Sequence, residues 1–130
     1  MSLTTLLLLS SGSAYGEWVV VEKPNRESVT QTVYVDLDTI PRKGKLVSIW
    51  YLIDYHHSHQ LELLMGVSSS KTRKQFDCAN KLLRWLACIE FSGHMGAGLA
   101  TNKDVDKDNW YPVEPVSLDH ALWKVACAKM

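Results

Sequence analysis

One segment, LVSIWYLIDY at positions 46–55, constrains the fold more than any other part of the chain. It is rich in β-branched and aromatic residues, and successive side chains of a strand point to opposite faces. One face would carry Leu46, Ser48, Trp50, Leu52 and Asp54, and the other would carry Val47, Ile49, Tyr51, Ile53 and Tyr55. Because the second face is wholly apolar or aromatic, we predict a strand with that face against the core.

Several shorter segments have strand character. Residues 18–23 are β-branched and end in the turn residues Pro24 and Asn25, and residues 30–36 are rich in strand formers. Residues 61–67, with the serines that follow, are expected to pair with residues 46–55 in a long hairpin through a polar loop at residues 56–60. Short strands are also expected at residues 99–101 and 110–113, on either side of a polar loop.

Residues 79–91 carry two conflicting signals. Their Leu, Lys, Arg and Ala content slightly favours a helix, with Asp77 as its cap. Read with a period of two, the segment is instead a strand. In that strand one face would carry Leu83, Trp85, Ala87, Ile89 and Phe91, and the other would carry Arg84 and Glu90.

The C-terminal segment is the clearest helix in the sequence. Ser117 is a suitable N-cap, and Asp119 and Lys124 stand at the ends that suit the helix dipole. The apolar positions recur on one helical face and are Leu118, Ala121, Leu122, Val125 and Ala126. We predict that this face lies on the sheet.

Length and composition indicate one domain, which we place at residues 17–130. The chain has 130 residues and a hydrophobic content of 46%, which are typical of a single globular domain. Its 14 basic and 14 acidic residues give zero formal net charge, so nucleic acid is not an expected partner. No apolar run reaches the roughly 18 residues that a membrane helix needs, so no membrane span is expected.

Residues 1–16 have most features of a secretory signal. Residues 6–9 are all leucine, and the small residues that follow end in Ala14-Tyr15-Gly16. The first five residues contain no Lys or Arg, so the basic region of a signal peptide is missing. The alternative is a strand or chain end of a cytosolic protein, but we expect a periplasmic or secreted protein.

The three cysteines allow at most one intrachain disulfide and leave one thiol over. The residues themselves leave all three pairings open. Cys88 stands within Leu86-Ala87-Cys88-Ile89, an apolar setting that is typical of an unpaired, buried cysteine.

Segments containing two of these cysteines resemble the surface-adhesin protein E family of Gram-negative bacteria. The resemblance rests on Asp77-Cys78-Ala79-Asn80 and on residues 33–40, 91–99 and 122–128. It implies a disulfide between Cys78 and Cys127, and it implies that residues 79–91 form a strand. The implied fold is α+β: a curved antiparallel sheet of about six strands, with the C-terminal helix packed on one face and tethered by the disulfide.

The resemblance also implies a function. Family members are exported, non-catalytic binding modules whose ligands include the matrix proteins vitronectin and laminin, and also plasminogen. We therefore expect an adhesin-like protein of the cell surface or periplasm with a protein partner. Known dimers in the family imply a homodimer through sheet surfaces, for which Tyr51 and Trp110 are the candidate interface residues.

Other chemistry has weaker support. His56, His57 and His59 have the composition of a metal or haem site, but a solvated polar hairpin tip is the explanation that we favour. Some members of the family bind haem, so the alternative function is a periplasmic or envelope protein that binds haem or a metal. Otherwise no cofactor and no metal site is expected. The sequence lacks the common hydrolase, phosphate-loop, zinc-protease and Cys-x-x-Cys motifs, so we predict no enzymatic activity.

Overall fold

The computed structural model of the chain describes residues 18–22, 31–36, 42–56 and 59–128. The predicted signal segment at residues 1–16 lies outside these ranges. The strands are β1 (Trp18–Glu22), β2 (Gln31–Asp36), β3 (Arg42–Lys43), β4 (Leu46–Tyr55), β5 (Ser69–Asp77), β6 (Leu82–Phe91), β7 (Ala100–Lys103) and β8 (Tyr111–Pro112). The helices are α1 (His59–Met65) and α2 (Leu118–Cys127), and a 3-10 turn lies at His94–Gly96.

The strands form one antiparallel sheet in the order β1-β2-β4-β5-β6-β7. The two-residue strands β3 and β8 pair with β4 and β6. The prediction of about six strands and a C-terminal helix is therefore confirmed. In the described part of the chain, no helix has the length and apolar character needed to cross a membrane.

The core lies between α2 and one face of the sheet. On β4, the predicted inner residues Val47, Ile49 and Tyr51 are at most 2% exposed. Leu122 and Ala126 of α2 are fully buried against them. The helix begins as predicted, because the Ser117 hydroxyl accepts a hydrogen bond of 3.1 Å from the backbone N–H of His120.

The opposite face of β4 is partly covered by the 3-10 turn. The backbone N–H of Met95 donates to Asp54 Oδ1 at 2.8 Å, and that of Gly96 donates to Ser69 Oγ at 2.9 Å. Ser69 Oγ in turn donates to the carbonyl of Gly93 at 2.6 Å. Leu52 beneath the turn is only 2% exposed, so the turn buries this face of the sheet at the end of β4.

The hairpin partner of β4 differs from the prediction. Residues 61–67 were expected to form its second strand, but most of them lie in α1, and the partner strand is β5. The prediction is wrong because Leu, Glu, Gln and Met favour helix. No strand covers the side chains of Leu63 and Leu64, which are 73% and 85% exposed.

Strand β6 confirms the extended prediction for residues 82–91, whereas residues 79–81 form a turn, and the predicted faces are wrong. Arg73 pairs with Ala87 and Lys74 pairs with Trp85, so Leu86 is an extra residue in β6. Such a β-bulge reverses the alternation of the side chains that follow it. Leu83 and Trp85 therefore face α2, whereas Ala87, Ile89 and Phe91 lie on the opposite face.

The predicted disulfide between Cys78 and Cys127 is present, with the two Cα atoms 5.7 Å apart. It joins the turn after β5 to the last turn of α2. Cys88 is free, as predicted, but it is half-buried rather than buried. The Thr72 hydroxyl lies 3.7 Å from its sulfur.

Gly98 ends the loop that carries the 3-10 turn, and it has a φ of +83°. A Cβ at this position would overlap Ser92 Oγ, which accepts a hydrogen bond from the backbone N–H of Leu99. We expect Gly98→Ala to lower the free energy of unfolding by about 2 kcal/mol or more, through strain and loss of this bond. Urea denaturation measures the change.

Gly44 provides the matched control, because its φ is +64° and a Cβ there would meet no atom within 4 Å. Gly44→Ala should therefore lower the free energy of unfolding by only about 1 kcal/mol, which is the cost of placing a residue other than glycine at a positive φ. Equal effects of the two substitutions would show that the contact with Ser92 is unimportant.

Candidate functional site

The sheet face opposite α2 carries a group of aromatic and basic side chains. We call it the open face and define it by Trp18, Trp50, Lys71, Arg84 and Trp110. The strand register places the first four on one side: Trp18 pairs with Asp36, Trp50 with Arg73, Leu52 with Lys71, and Gln75 with Arg84. These four residues come from four different strands, β1, β4, β5 and β6, so only the sheet brings them together.

Lys71 lies between two tryptophans of the open face. Its Nζ atom is 5.2 Å from the ring centroid of Trp50 and 5.8 Å from that of Trp18. Cation–π contacts of this kind contribute about 0.5–1 kcal/mol at partly exposed sites. All three side chains are half-buried. Their mutual contacts restrict their conformations, and part of each side chain remains accessible at the surface.

Arg84 forms the second cation–aromatic pair. Its Cζ atom is 4.9 Å from the ring centroid of Trp110, and its Nε donates to Gln75 Oε1 at 2.8 Å. Its Nη1 donates to the carbonyl of Lys107 at 3.3 Å, which ties the loop after β7 to the sheet. Trp110 is half-buried, and its role in an interface stays a prediction.

The middle of the open face has a basic character. Lys71, Arg73 and Arg84 share this side of the sheet. Asp36 and Asp54 also lie on it, but Asp36 is 5% exposed and the Asp54 side chain is 13% exposed. Arg73 Nε is buried and has no hydrogen-bond partner among the described residues. The arrangement can therefore present positive charge and aromatic surface to a partner.

Tyr51 is not part of this surface. Its prediction as an interface residue is wrong, because its side chain faces α2 and is 2% exposed. Burial is the main reason that the pKa of Tyr51 lies well above its ordinary value. The Nζ atom of Lys74 is 5.4 Å from its ring centroid. Tyr51 is thus a core residue with a buried cation beside it.

Of the three candidate histidines, the structure describes only the side chain of His56. His56 is exposed, and its Nε2 lies 2.7 Å from the Thr32 hydroxyl. His57 and the side chain of His59 lie outside the described residues. In the described part of the chain, no group of three or more His, Cys, Asp or Glu side chains is placed to hold a metal ion. The haem or metal function stays a prediction.

A cavity on the α2 side of the sheet was missed by the sequence analysis. It has a volume of about 450 Å³ and lies between β6, the segment 104–112 and the first turn of α2. We call it the edge cleft and define it by Leu83, Trp85, Asp104, Asp106, Tyr111 and Asp119. In sequence its only signal is two aspartates shortly before Trp110 and Tyr111 in a loop otherwise expected to be solvated.

Comparison with known proteins agrees with this architecture. The family model described as surface-adhesin protein E matches residues 18–128. Crystal form II of Haemophilus influenzae protein E has a TM-score of 0.58 and 15% sequence identity, over 82% of this chain and 87% of that chain. The selenomethionine form of the same protein has a TM-score of 0.58 and 15% identity, over 85% of each chain. A comparison with curated protein sequences finds no match.

Proposed function

Because this chain belongs to the surface-adhesin protein E family, we propose that it is a non-catalytic module that binds a protein through the open face. Membership of a surface-adhesin family makes the chain a cell-surface or exported protein. We propose that it is either periplasmic or secreted to the cell surface.

The observation that carries this proposal is the placement of Lys71 against Trp18 and Trp50. Tryptophan and arginine are the residues that most often dominate the affinity of protein interfaces, and their contacts are strongest where the side chains are already ordered. The second pair, Arg84 with Trp110, supplies the same chemistry toward the other edge of the open face.

The chemistry of the open face also suggests the kind of partner. Basic side chains attract an acidic surface, and the tryptophan rings provide apolar contact area beside it. We propose extracellular-matrix proteins as the partner class, with vitronectin, laminin and plasminogen as the ligands to test first.

We expect Lys71→Glu and Arg84→Glu each to weaken binding to the recognised ligand by about tenfold or more, because each replaces an attractive charge with a repulsive one. Surface plasmon resonance with immobilised vitronectin, laminin and plasminogen measures the affinity. Circular dichroism establishes that each variant is folded.

Lys124→Glu is the matched control. It makes the same change of charge at an exposed position of α2, on the other side of the molecule. An equal loss of affinity in Lys124→Glu would indicate a general charge effect. Unchanged affinity in both open-face variants would rule out the open face as the binding surface.

A further inference from the structure

We propose that the edge cleft binds an organic cation, namely an ammonium or guanidinium group on an apolar stem. This site is separate from the open face, because it lies on the α2 side of the sheet. Its volume of about 450 Å³ is in the range of small-ligand pockets. The proposal does not depend on the proposed adhesin function.

The walls of the edge cleft are apolar and aromatic. Leu83 and Trp85 project from β6 toward α2, and Tyr111 lines the cleft from the paired strand β8, beside Leu83. Tyr111 is 43% exposed, so its ring is open to a ligand. Its hydroxyl donates to Asp106 Oδ2 at 3.1 Å, which fixes the orientation of the ring. Such walls suit an alkyl stem, and their ring faces attract cations.

The charge in the edge cleft is negative. Asp119 is balanced by Lys74, whose Nζ is 2.6 Å from Asp119 Oδ1. Asp104 and Asp106 have no basic side chain paired with them among the described contacts. Hydrogen bonds from Asn109 and from the backbone of Asp108 lower the pKa of Asp106, which is charged at neutral pH like any exposed aspartate. A cation would therefore be attracted, and an anion repelled.

The protein already holds one ammonium group at the boundary of this cleft. Lys74 is 4% exposed, and its Nζ lies 4.1 Å from the ring centroid of Trp85 and beside Asp119. The same ring and carboxylate that line the cleft thus bind an alkyl ammonium within the fold. Because Lys74 occupies this ring face and this carboxylate, Tyr111 and Asp104 are the groups of the cleft that remain open to a ligand cation.

A metal ion fits the edge cleft less well. Metal ions need several oxygen or nitrogen ligands converging on one point. The described residues contain no group of three or more side chains placed in this way. In addition, both oxygens of Asp106 accept hydrogen bonds from neighbouring residues. Asp104 is therefore the carboxylate that we expect to contact the ligand cation.

The test is titration of the isotope-labelled chain with n-pentylamine, followed by two-dimensional ¹H–¹⁵N NMR. We expect shifts of the Trp85 indole N–H and of the backbone signals of Tyr111 and Val105. The neutral isostere 1-pentanol and the anion pentanoate should bind at least about threefold more weakly, because they lack the attraction of an exposed carboxylate.

Asp104→Asn should weaken pentylamine binding by about three- to fivefold, which is the range for an exposed ion pair. Asp108→Asn is the control, since it makes the same charge change in the same loop but does not line the cleft. Equal binding by both variants, equal binding of pentanol and pentylamine, or an unshifted Trp85 indole would each overturn the proposal.

A second probe identifies the source of the cation. Lysine blocked as its N-acetyl methylamide imitates a side chain within a protein. If it shifts the same signals as pentylamine, the cleft accepts a side chain of a protein partner. If only the free amine binds, the cleft is a small-molecule site. Both results support the cation site, and neither depends on binding through the open face.

Discussion

Replacing both Cys78 and Cys127 with serine is expected to lower the free energy of unfolding by about 2–4 kcal/mol. The disulfide spans 49 residues of sequence, and a cross-link of this length restricts the unfolded chain strongly. In the folded protein it also fixes the last turn of α2, beside the fully buried Ala126. A change of this size corresponds to a fall in Tm of roughly 10–20 °C for a domain of this size.

Differential scanning calorimetry of the double variant measures the change in Tm. Both cysteines are replaced so that neither is left as a reactive thiol. Cys88→Ser is the matched control, because it removes the free, half-buried cysteine. We expect it to change Tm by only a few degrees, about the effect of a mild core substitution. Equal changes in the two variants would mean that the disulfide itself contributes little.

The second large effect is expected at the buried ion pair of Lys74 and Asp119. Asp119→Asn leaves the Lys74 ammonium, 4% exposed, without its carboxylate. Breaking a fully buried pair costs about 3–5 kcal/mol. Because the Asp119 side chain is 33% exposed, water compensates part of this cost. We therefore expect a loss of about 2 kcal/mol in free energy of unfolding, measured by urea denaturation.

Replacing the lysine of the pair instead of the aspartate should change the free energy of unfolding less. Lys74→Met keeps most of the side-chain volume and removes the need to bury a charge, so we expect a change within about 1 kcal/mol. The double variant, Lys74→Met with Asp119→Asn, should be more stable than Asp119→Asn by itself. If Lys74→Met destabilises the protein as much as Asp119→Asn does, the pair is a net source of stability, contrary to this prediction.

The candidate sites were only partly predictable. Trp110 and the histidines were named as candidates from the sequence because of their residue types. Lys71, Arg84 and Trp18 become candidates only because the strand register places them on one face of the sheet. Tyr51 was misassigned to an interface on the basis of the family's dimers, although the alternation of residues 46–55 places it on the core face, where the structure has it. The edge cleft was missed since its walls come from β6, a loop and α2, which are distant in sequence.

The sequence determined the elements whose local signals agree with their tertiary surroundings. The alternation in residues 46–55 predicts both β4 and its buried face, and Ser117 with the apolar stripe that follows predicts α2. In these segments side-chain periodicity and burial have the same period, so the pattern is readable without the fold. The disulfide and the strand at residues 79–91 required the family resemblance in addition.

Tertiary structure decided the places where those signals conflict. Strand β5 is hard to recognise because its inner face includes Lys74, which is stable there only beside Asp119, 45 positions later in the chain. The extra residue Leu86 in β6 reverses the faces of the residues after it, and only pairing with β5 reveals it. Both features depend on contacts distant in sequence, whereas periodicity reports only the preferences of neighbouring residues.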